Sequence, residues 1–539
     1  MADAQPQCRL MNLPVDVHQM IVKSLDLPDI LFPPAYRQER INGIPTGENN
    51  FDDQHAKYYG TDRNNKDHPG AYALLHWSST CRFYRRHFEA RILRHVVLRT
   101  HLKSIESIET LSRTPRWRHV KNLVVCNTLA TLSQSARDAY TERSRDIEYE
   151  DDDVLSHWPE FPLTRLSALL SNLPPNLEAL TLDFPWHWID MVDSCMEFSA
   201  TGDFGRMILV ILRGICQNNL AAKASFTLRL VNLPKGSTEC TPQGCHGLKS
   251  LLNCVTDCQI SLAHWNNGAG WEQNRVMDME SFTRSLGPTF IQHLTNVETL
   301  ELRANYSCPI GLAPGCGHLA DFPQLSHGLR FHHLRKLTLD HFFIDDPLMA
   351  FVTLQSPNLE HLTLLSCGAS GPNTSSEVAD PPTWAEFFTR LNTGATNLRS
   401  LSLRHTYPNS GLLDMDTQGE KSDDIKLAHA ALEHQASQQH ITSARDWARR
   451  KQVLPHHILD DKYGILFDDQ DENAARFLQG DDHRALLALW DAMESRGGEG
   501  VIYLPPSLTP PLDGSSEVSF CDTFLCLSLC TDIEPWSLT

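Results

Sequence analysis

No apolar run in this chain approaches the ~18 residues that a membrane span requires. The best stretch, Met207 to Cys216, is short and carries Arg213. A basic, then apolar, secretory leader is also missing, since Met1 to Gln7 is polar, so a cytosolic or nuclear location is expected. The 15 cysteines then read as reduced thiols and not as a disulfide framework. Positive charge is in short supply: 47 Lys and Arg stand against 66 Asp and Glu, a net charge of -19. Such a balance opposes general nucleic-acid binding, which needs a local cationic excess.

Chemical signatures are equally sparse. The chain has no Gly-x-Ser-x-Gly elbow, phosphate loop, dinucleotide fingerprint or His-Glu-x-x-His pair. Cys240, Cys245, His246, Cys254 and Cys258 lack the paired Cys-x-x-Cys knuckles of a zinc site, and a buried thiol is the better reading of Cys258. Asp469, Asp471 and Asn473 mimic the start of a calcium loop without its glycine. No metal or cofactor is therefore expected; an enzyme whose catalytic residues meet only in three dimensions has the 26 histidines as its sole encouragement.

What is present begins at Leu13-Pro14-Val15-Asp16. Pro14 suits a first helical turn, where its missing N–H would be an orphan anyway, and Asp16 favours the helix dipole. Val17, Met20, Ile21 and Leu25 then mark one apolar face. A second amphipathic pattern follows at Leu74, Trp77, Cys81, Tyr84, Phe88 and Ile92, interleaved with arginines. The basic cluster from Arg82 to Arg99 reads as the solvated face of that helical module.

Together these two halves, over about residues 10 to 95, resemble the F-box: Leu-Pro-x-Asp, a short helix closing near Leu25-Asp26-Leu27-Pro28, then Leu74-Leu75, Thr80-Cys81-Arg82-x-Tyr84 and Phe88. The resemblance implies a three-helix module that docks on the Skp-type adaptor of a cullin-based ubiquitin ligase. Leu13, Pro14, Val17, Ile21, Leu25, Leu75 and Cys81 would form the docking surface. The chain departs from the family between about 30 and 70, where a polar insertion replaces a few residues. Its aperiodic Pro, Asn and Asp content reads as a surface loop, and docking requires that the loop leave the adaptor face free.

Behind this module a hexad Leu-x-x-Leu-x-Leu recurs. The strong copies are Leu177-Leu180-Leu182, Val297-Leu300-Leu302, Leu334-Leu337-Leu339, Leu359-Leu362-Leu364 and Leu398-Leu401-Leu403. Weaker ones sit at Val120-Leu123-Val125, Val255-Cys258-Ile260 and Leu228-Leu230. Asn176, Asn296, Asn358 and Asn397 precede four of the strong copies. Alternation within the hexad predicts a short strand with one buried face. Helical patterns precede the first and last strong copies, at Leu163 to Leu173 and at Trp384, Phe387, Phe388 and Leu391. Units of helix, turn and strand must stack to bury their apolar faces, which resembles the leucine-rich-repeat solenoid. The spacing of the copies is irregular.

The expected fold is mixed α/β (α+β): a small all-helical F-box module followed by an irregular leucine-rich-repeat solenoid with parallel strands and outer helices. The module would span 1–100, and the solenoid 101–410 with an acidic loop at about 132–155. A helical cap, Pro-rich linker and apolar tail would fill 411–539. Helices are expected near Ile425 to Gln452 and Ala485 to Met493, and a strand at Val501 to Leu504. Outward strand residues Arg229, Thr299, Glu301, Arg303, Lys336, Thr338, Asp340, His361, Thr363, Ser402 and Arg404 would form the target-binding wall. The function expected from the resemblance is that of a non-catalytic substrate receptor, joining the adaptor, and through it a cullin, to a target protein. A repeat scaffold with no ligase role is the alternative; neither nucleic acid nor membrane is expected as a partner.

Overall fold

The computed structural model describes residues 89–90, 93–99, 102–126, 163–184, 203–218, 225–233, 246–262, 277–304, 309–311, 329–370, 382–404, 422–437, 451–459, 466–498 and 500–503. Leu13, Pro14, Val17, Ile21, Leu25, Leu75 and Cys81 lie outside these residues, as do the insertion, the acidic loop and the Pro-rich linker and tail.

The recurrent hexads become neighbouring strands. In chain order these are β1 (His95–Arg99), β2 (Asn122–Cys126), β3 (Ala179–Asp183), β4 (Phe226–Leu233), β5 (Val255–Leu262), β6 (Thr299–Arg303) and β7 (Lys336–Asp340). After β8 (Phe343–Ile344) come β9 (His361–Leu365), β10 (Gly368–Ser370), β11 (Ser400–Arg404), β12 (His456–Leu459), β13 (Leu466–Asp468) and β14 (Gly500–Tyr503). Ten of them form one sheet in the order β1-β2-β3-β4-β5-β6-β7-β9-β11-β14, every pair parallel. Parallel neighbours need crossover connections, and helices supply many of them. These include α1 (Leu102–Ser112), α2 (Leu163–Leu170), α3 (Asp203–Cys216), α4 (His246–Asn253), α5 (Met277–Thr289), α6 (Asp346–Gln355) and α7 (Trp384–Gly394).

Register converts the sequence repeat into apolar ladders. Leu180, Leu228, Cys258, Leu300, Leu337, Leu362 and Leu401 are successive partners across the sheet. Leu182, Leu230, Ile260, Leu302, Leu339, Leu364 and Leu403 form the next row. Both rows are buried, and so are the first residues of the hexads, among them Val120, Leu177, Val297, Leu334, Leu359 and Leu398. Burying each such side chain contributes about 1.5–3 kcal/mol, gained only when the next unit is stacked in place. Cys258, one rung of the ladder, is a buried thiol whose pKa burial pushes far up.

The recurring asparagines have a mechanical role. Asn176 Nδ2 donates to the Arg118 carbonyl at 2.9 Å, Asn296 to Asn253 at 2.7 Å and Asn358 to His332 at 2.8 Å. Asn397 likewise donates to the Pro357 carbonyl. Each acceptor lies within the few residues before the strand of the preceding unit. A carboxamide here ties unit to unit through a carbonyl that the parallel ladder leaves unmade.

The sheet overruns both boundaries drawn from sequence. β1 falls within the segment assigned to the helical module, so Arg99 ends a strand and not a helix. At the other end β14, from the region expected to be a helical cap, pairs with β11. That region also holds α8 (Asp423–Ser437), α9 (Gln470–Gln479) and α10 (Asp481–Ser495). Of the helix expected from Ile425 to Gln452, α8 covers the part up to Ser437, residues 438–450 lie outside the described residues, and 451–455 are not helical.

A second, four-stranded sheet, β13-β12-β10-β8, was not legible in the sequence. β8 and β10 follow β7 and β9 after left-handed residues, His341 (φ 59) and Ser366 (φ 47). These single residues turn the chain from the first sheet into the second.

The C-terminal units are anchored on α7. Thr383 and Glu386 form a capping box at its N-terminus, and the buried Asp482 carboxylate accepts from Ala385 N at 2.8 Å. Trp384 is fully buried, stacks on Phe388 and donates from Nε1 to the Pro455 carbonyl at 2.9 Å. Asp469 of the discarded calcium motif instead caps α9, accepting from Glu472 N. Its neighbour Asn473 is buried and accepts from His456 N at 2.6 Å.

His456 is buried in this joint, with Nε2 3.9 Å from Asp482 Oδ2. Burial, helped by Arg476, lowers its pKa from 6.5 to about 4. Burial also lowers His483 and raises Asp482. The unfolded chain therefore binds a proton near pH 6.5 that folded His456 refuses until about 4. His456 leaves stability untouched above pH 6.5 and subtracts from it progressively as pH falls toward 4, whereas raised Asp482 acts in the opposite sense. Urea denaturation between pH 7.5 and 4.5, read on the C-terminal units, should show a decline that His456→Gln flattens. An equally steep decline in the variant would refute this assignment.

Candidate functional site

Strands with one face in the core turn alternate residues onto the inner wall. The register sets these residues in rows. Thr181, Arg229, Gln259, Glu301, Thr338, Thr363 and Ser402 are successive partners between the two leucine ladders. Nearer the strand starts lie Thr299, Lys336, His361 and Ser400; nearer the ends lie Ser261, Arg303, Asp340, Leu365 and Arg404. The wall expected from sequence is therefore assembled in space from residues up to 175 positions apart, Arg229 to Arg404.

Its members are not equivalent. Lys336 is exposed, and Arg229, Thr299, Thr338, His361, Thr363 and Ser402 are half-buried, so a partner has access to them. Arg303 and Asp340, expected to face outward, are 8% and 2% exposed. This corrects the reading of both as recognition residues. The Arg303 guanidinium bonds the Glu301 carboxylate, and its Nη1 lies 3.5 Å from Asp340 Oδ2. Asp340 Oδ1 is 2.8 Å from His341 Nδ1. Mutual neutralisation lets these charges lie out of water, where an unpaired one would be costly. Alternation predicts which face a side chain points to, but it cannot say what else covers that face.

Sequence reasoning missed Gln259, Ser261 and His341, which are also buried here. Ser261 Oγ accepts from Asn232 N at 3.0 Å, and Asn232 Nδ2 donates to Asp183 Oδ1 at 3.2 Å. Gln259 Oε1 is buried without a hydrogen-bond partner among the described residues. The available signal for Gln259 and Ser261 was that they flank Ile260, which lies two positions past Cys258 in a strand pattern. Among the described residues no group of three or more His, Cys, Asp or Glu is placed to hold a metal ion. None of the described helices is long and apolar enough to cross a membrane.

The architecture, with its stacked leucine ladders, asparagine ties and parallel inner wall, is that of a leucine-rich-repeat solenoid. No family model and no curated protein matches the sequence. Among solved structures, the chain is similar to a leucine-rich repeat-containing protein, LegL7 from Legionella pneumophila, at 13% identity and a TM-score of 0.26. That match covers 72% of this chain and 98% of the other. The class assigned here rests on the register and burial of this chain's own strands.

Proposed function

We propose that this chain is a protein-binding receptor whose inner wall holds a target, and that it serves as a substrate-recognition subunit of a cullin-type ubiquitin ligase. The observation that carries the first part is the polar wall: half-buried Arg229, Thr338, His361, Thr363 and Ser402 stand beside exposed Lys336 on a rigid ten-stranded sheet. Such a surface offers directional hydrogen bonds with little ordering cost on binding. The ligase role rests on the split Leu-Pro-x-Asp motif and its resemblance to the F-box. On this reading the chain has no catalytic residue of its own; it contributes proximity between a target and the ubiquitin-transferring subunits. It would act in the cytosol or nucleus, with the Skp-type adaptor and a cullin as partners.

The test is direct. Leu13→Ala with Pro14→Ala and Ile21→Asp should abolish co-purification of the Skp-type adaptor with the full chain. Undiminished co-purification would sink the docking assignment. Affinity purification under proteasome inhibition should recover adaptor and target together. A chain that recovers a wall-dependent partner and ignores the adaptor would be the alternative, a repeat scaffold with no ligase role.

A further inference from the structure

We propose that the outer face carries a second docking groove, between α6 and α7, for a short acidic segment of a partner protein with an apolar anchor residue. The groove is a surface cleft of about 590 Å³. Ala350, Leu354 and Pro357 supply apolar lining, and Arg330 and Arg390 also border it. Leu354 is among the few large apolar side chains exposed in the described residues. It shares the cleft with two arginines, a setting for a carboxylate beside a buried aliphatic or aromatic group.

Charge is the second ground. The chain as a whole carries a net charge of -19, yet the stretch from Leu329 to Leu339 has Arg330, His332, His333, Arg335 and Lys336 and no carboxylate. Phe331 and Leu334 turn into the core, whereas Arg330, His332, His333 and Arg335 are exposed. Arg390 is held by Asp346 at 2.9 Å and Arg335 lies 3.9 Å from Glu360. Arg330 has no such partner among the described residues.

At the C-terminal end of α7, Ser356 Oγ donates to Gly394 O at 2.7 Å, and Arg496 Nη1 to Ala395 O, just past the helix, at 2.7 Å, so these two carbonyls do not need the groove's arginines. A nucleic acid fits less well, because the described lining offers no aromatic face for stacking a base.

The full chain should be panned against a random 12-residue peptide library displayed on phage, with counter-selection on Arg330→Glu/Arg390→Glu. Enriched peptides should be rich in Asp and Glu around one apolar residue. A synthetic peptide of that consensus should bind at least tenfold more weakly to the charge-reversed chain and to Leu354→Asp, and more weakly in added salt. Inner-wall Arg229→Glu should leave its affinity unchanged, which separates this groove from the target-binding wall. The substituted residues border a surface cleft, so thermal unfolding of the variants should match the parent. If a variant fails to fold, the salt dependence and a competing excess of free consensus peptide decide in the parent chain. Enriched peptides without acidic excess, affinity insensitive to Arg330 and Arg390, no enrichment, or tighter binding of a 20-nucleotide single-stranded RNA at the same arginines would each overturn the proposal.

Discussion

Trp384→Ala should cost about 3–5 kcal/mol and release the C-terminal units from the array, the range expected when a large buried aromatic is removed. Trp384 is completely buried and lies in a cluster with Phe387 and Phe388, at ring-centroid distances of 5.9 and 5.3 Å. Truncation also removes one of the two donors to the Pro455 carbonyl just before β12, leaving Ala369 N at 3.0 Å. The loss should therefore be local in its consequences. Hydrogen exchange should accelerate first in β12, α9 and α10, while β2 to β5 keep their protection, because a solenoid transmits stability mainly to nearest neighbours. Trp384→Phe keeps most of the ring volume and forfeits the hydrogen bond, so a smaller loss of about 1–3 kcal/mol is expected. Uniform acceleration across the whole sheet would contradict the nearest-neighbour account.

Arg303→Met should be as damaging, by about 3–5 kcal/mol at neutral pH, the usual cost of leaving a buried charge without its partner. Asp340 is 2% exposed and would keep, among the described residues, His341 beside it, while Glu301 would lose its guanidinium contact. The rescue is the informative measurement. Adding Asp340→Asn and Glu301→Gln to Arg303→Met removes the stranded charges and should recover more than half of the lost stability. A target-recognition residue would behave differently, weakening binding while leaving the denaturation midpoint in place. Arg229→Ala and Lys336→Ala should do that, since both lie open on the wall. An Arg303→Met chain with unchanged stability would restore Arg303 to the recognition surface.

Much of the fold was legible because one-dimensional periodicity and strand geometry are the same fact. Leu180 and Leu182 straddle Thr181, so that one face is apolar, and each repeat of that pattern can pair with the next only in a parallel register. Even the weak copy with Cys258 in a leucine position was readable, because a thiol fills that rung as a small hydrophobe. Asn358 and Asn397 were visible as a signature, but their purpose was not. Only stacking shows that each reaches a carbonyl in the unit before it.

The candidate site was legible in part. Alternation put Arg229, Lys336, Thr338, His361, Thr363 and Ser402 at the register positions between and beside the leucine ladders, and Arg303 and Asp340 with them. Those two belong to an ion network that depends on neighbours across strands, Glu301, Asp340 and His341, whose proximity no local pattern states. The groove between α6 and α7 was invisible for the same reason: Arg330 and Arg390 are brought together by the stacking of two units.

The sequence by itself determined the repeat, the parallel strand ladders and the order of helix and strand, since burial of leucines at fixed spacing is a local rule. Tertiary structure alone decided where the array begins and ends, with β1 and β14 recruited from segments assigned elsewhere, because an exposed sheet edge takes whichever strand can satisfy its backbone. It also decided which wall charges are free and which are spent on one another, because pairing and desolvation depend on residues that meet only after the chain has stacked.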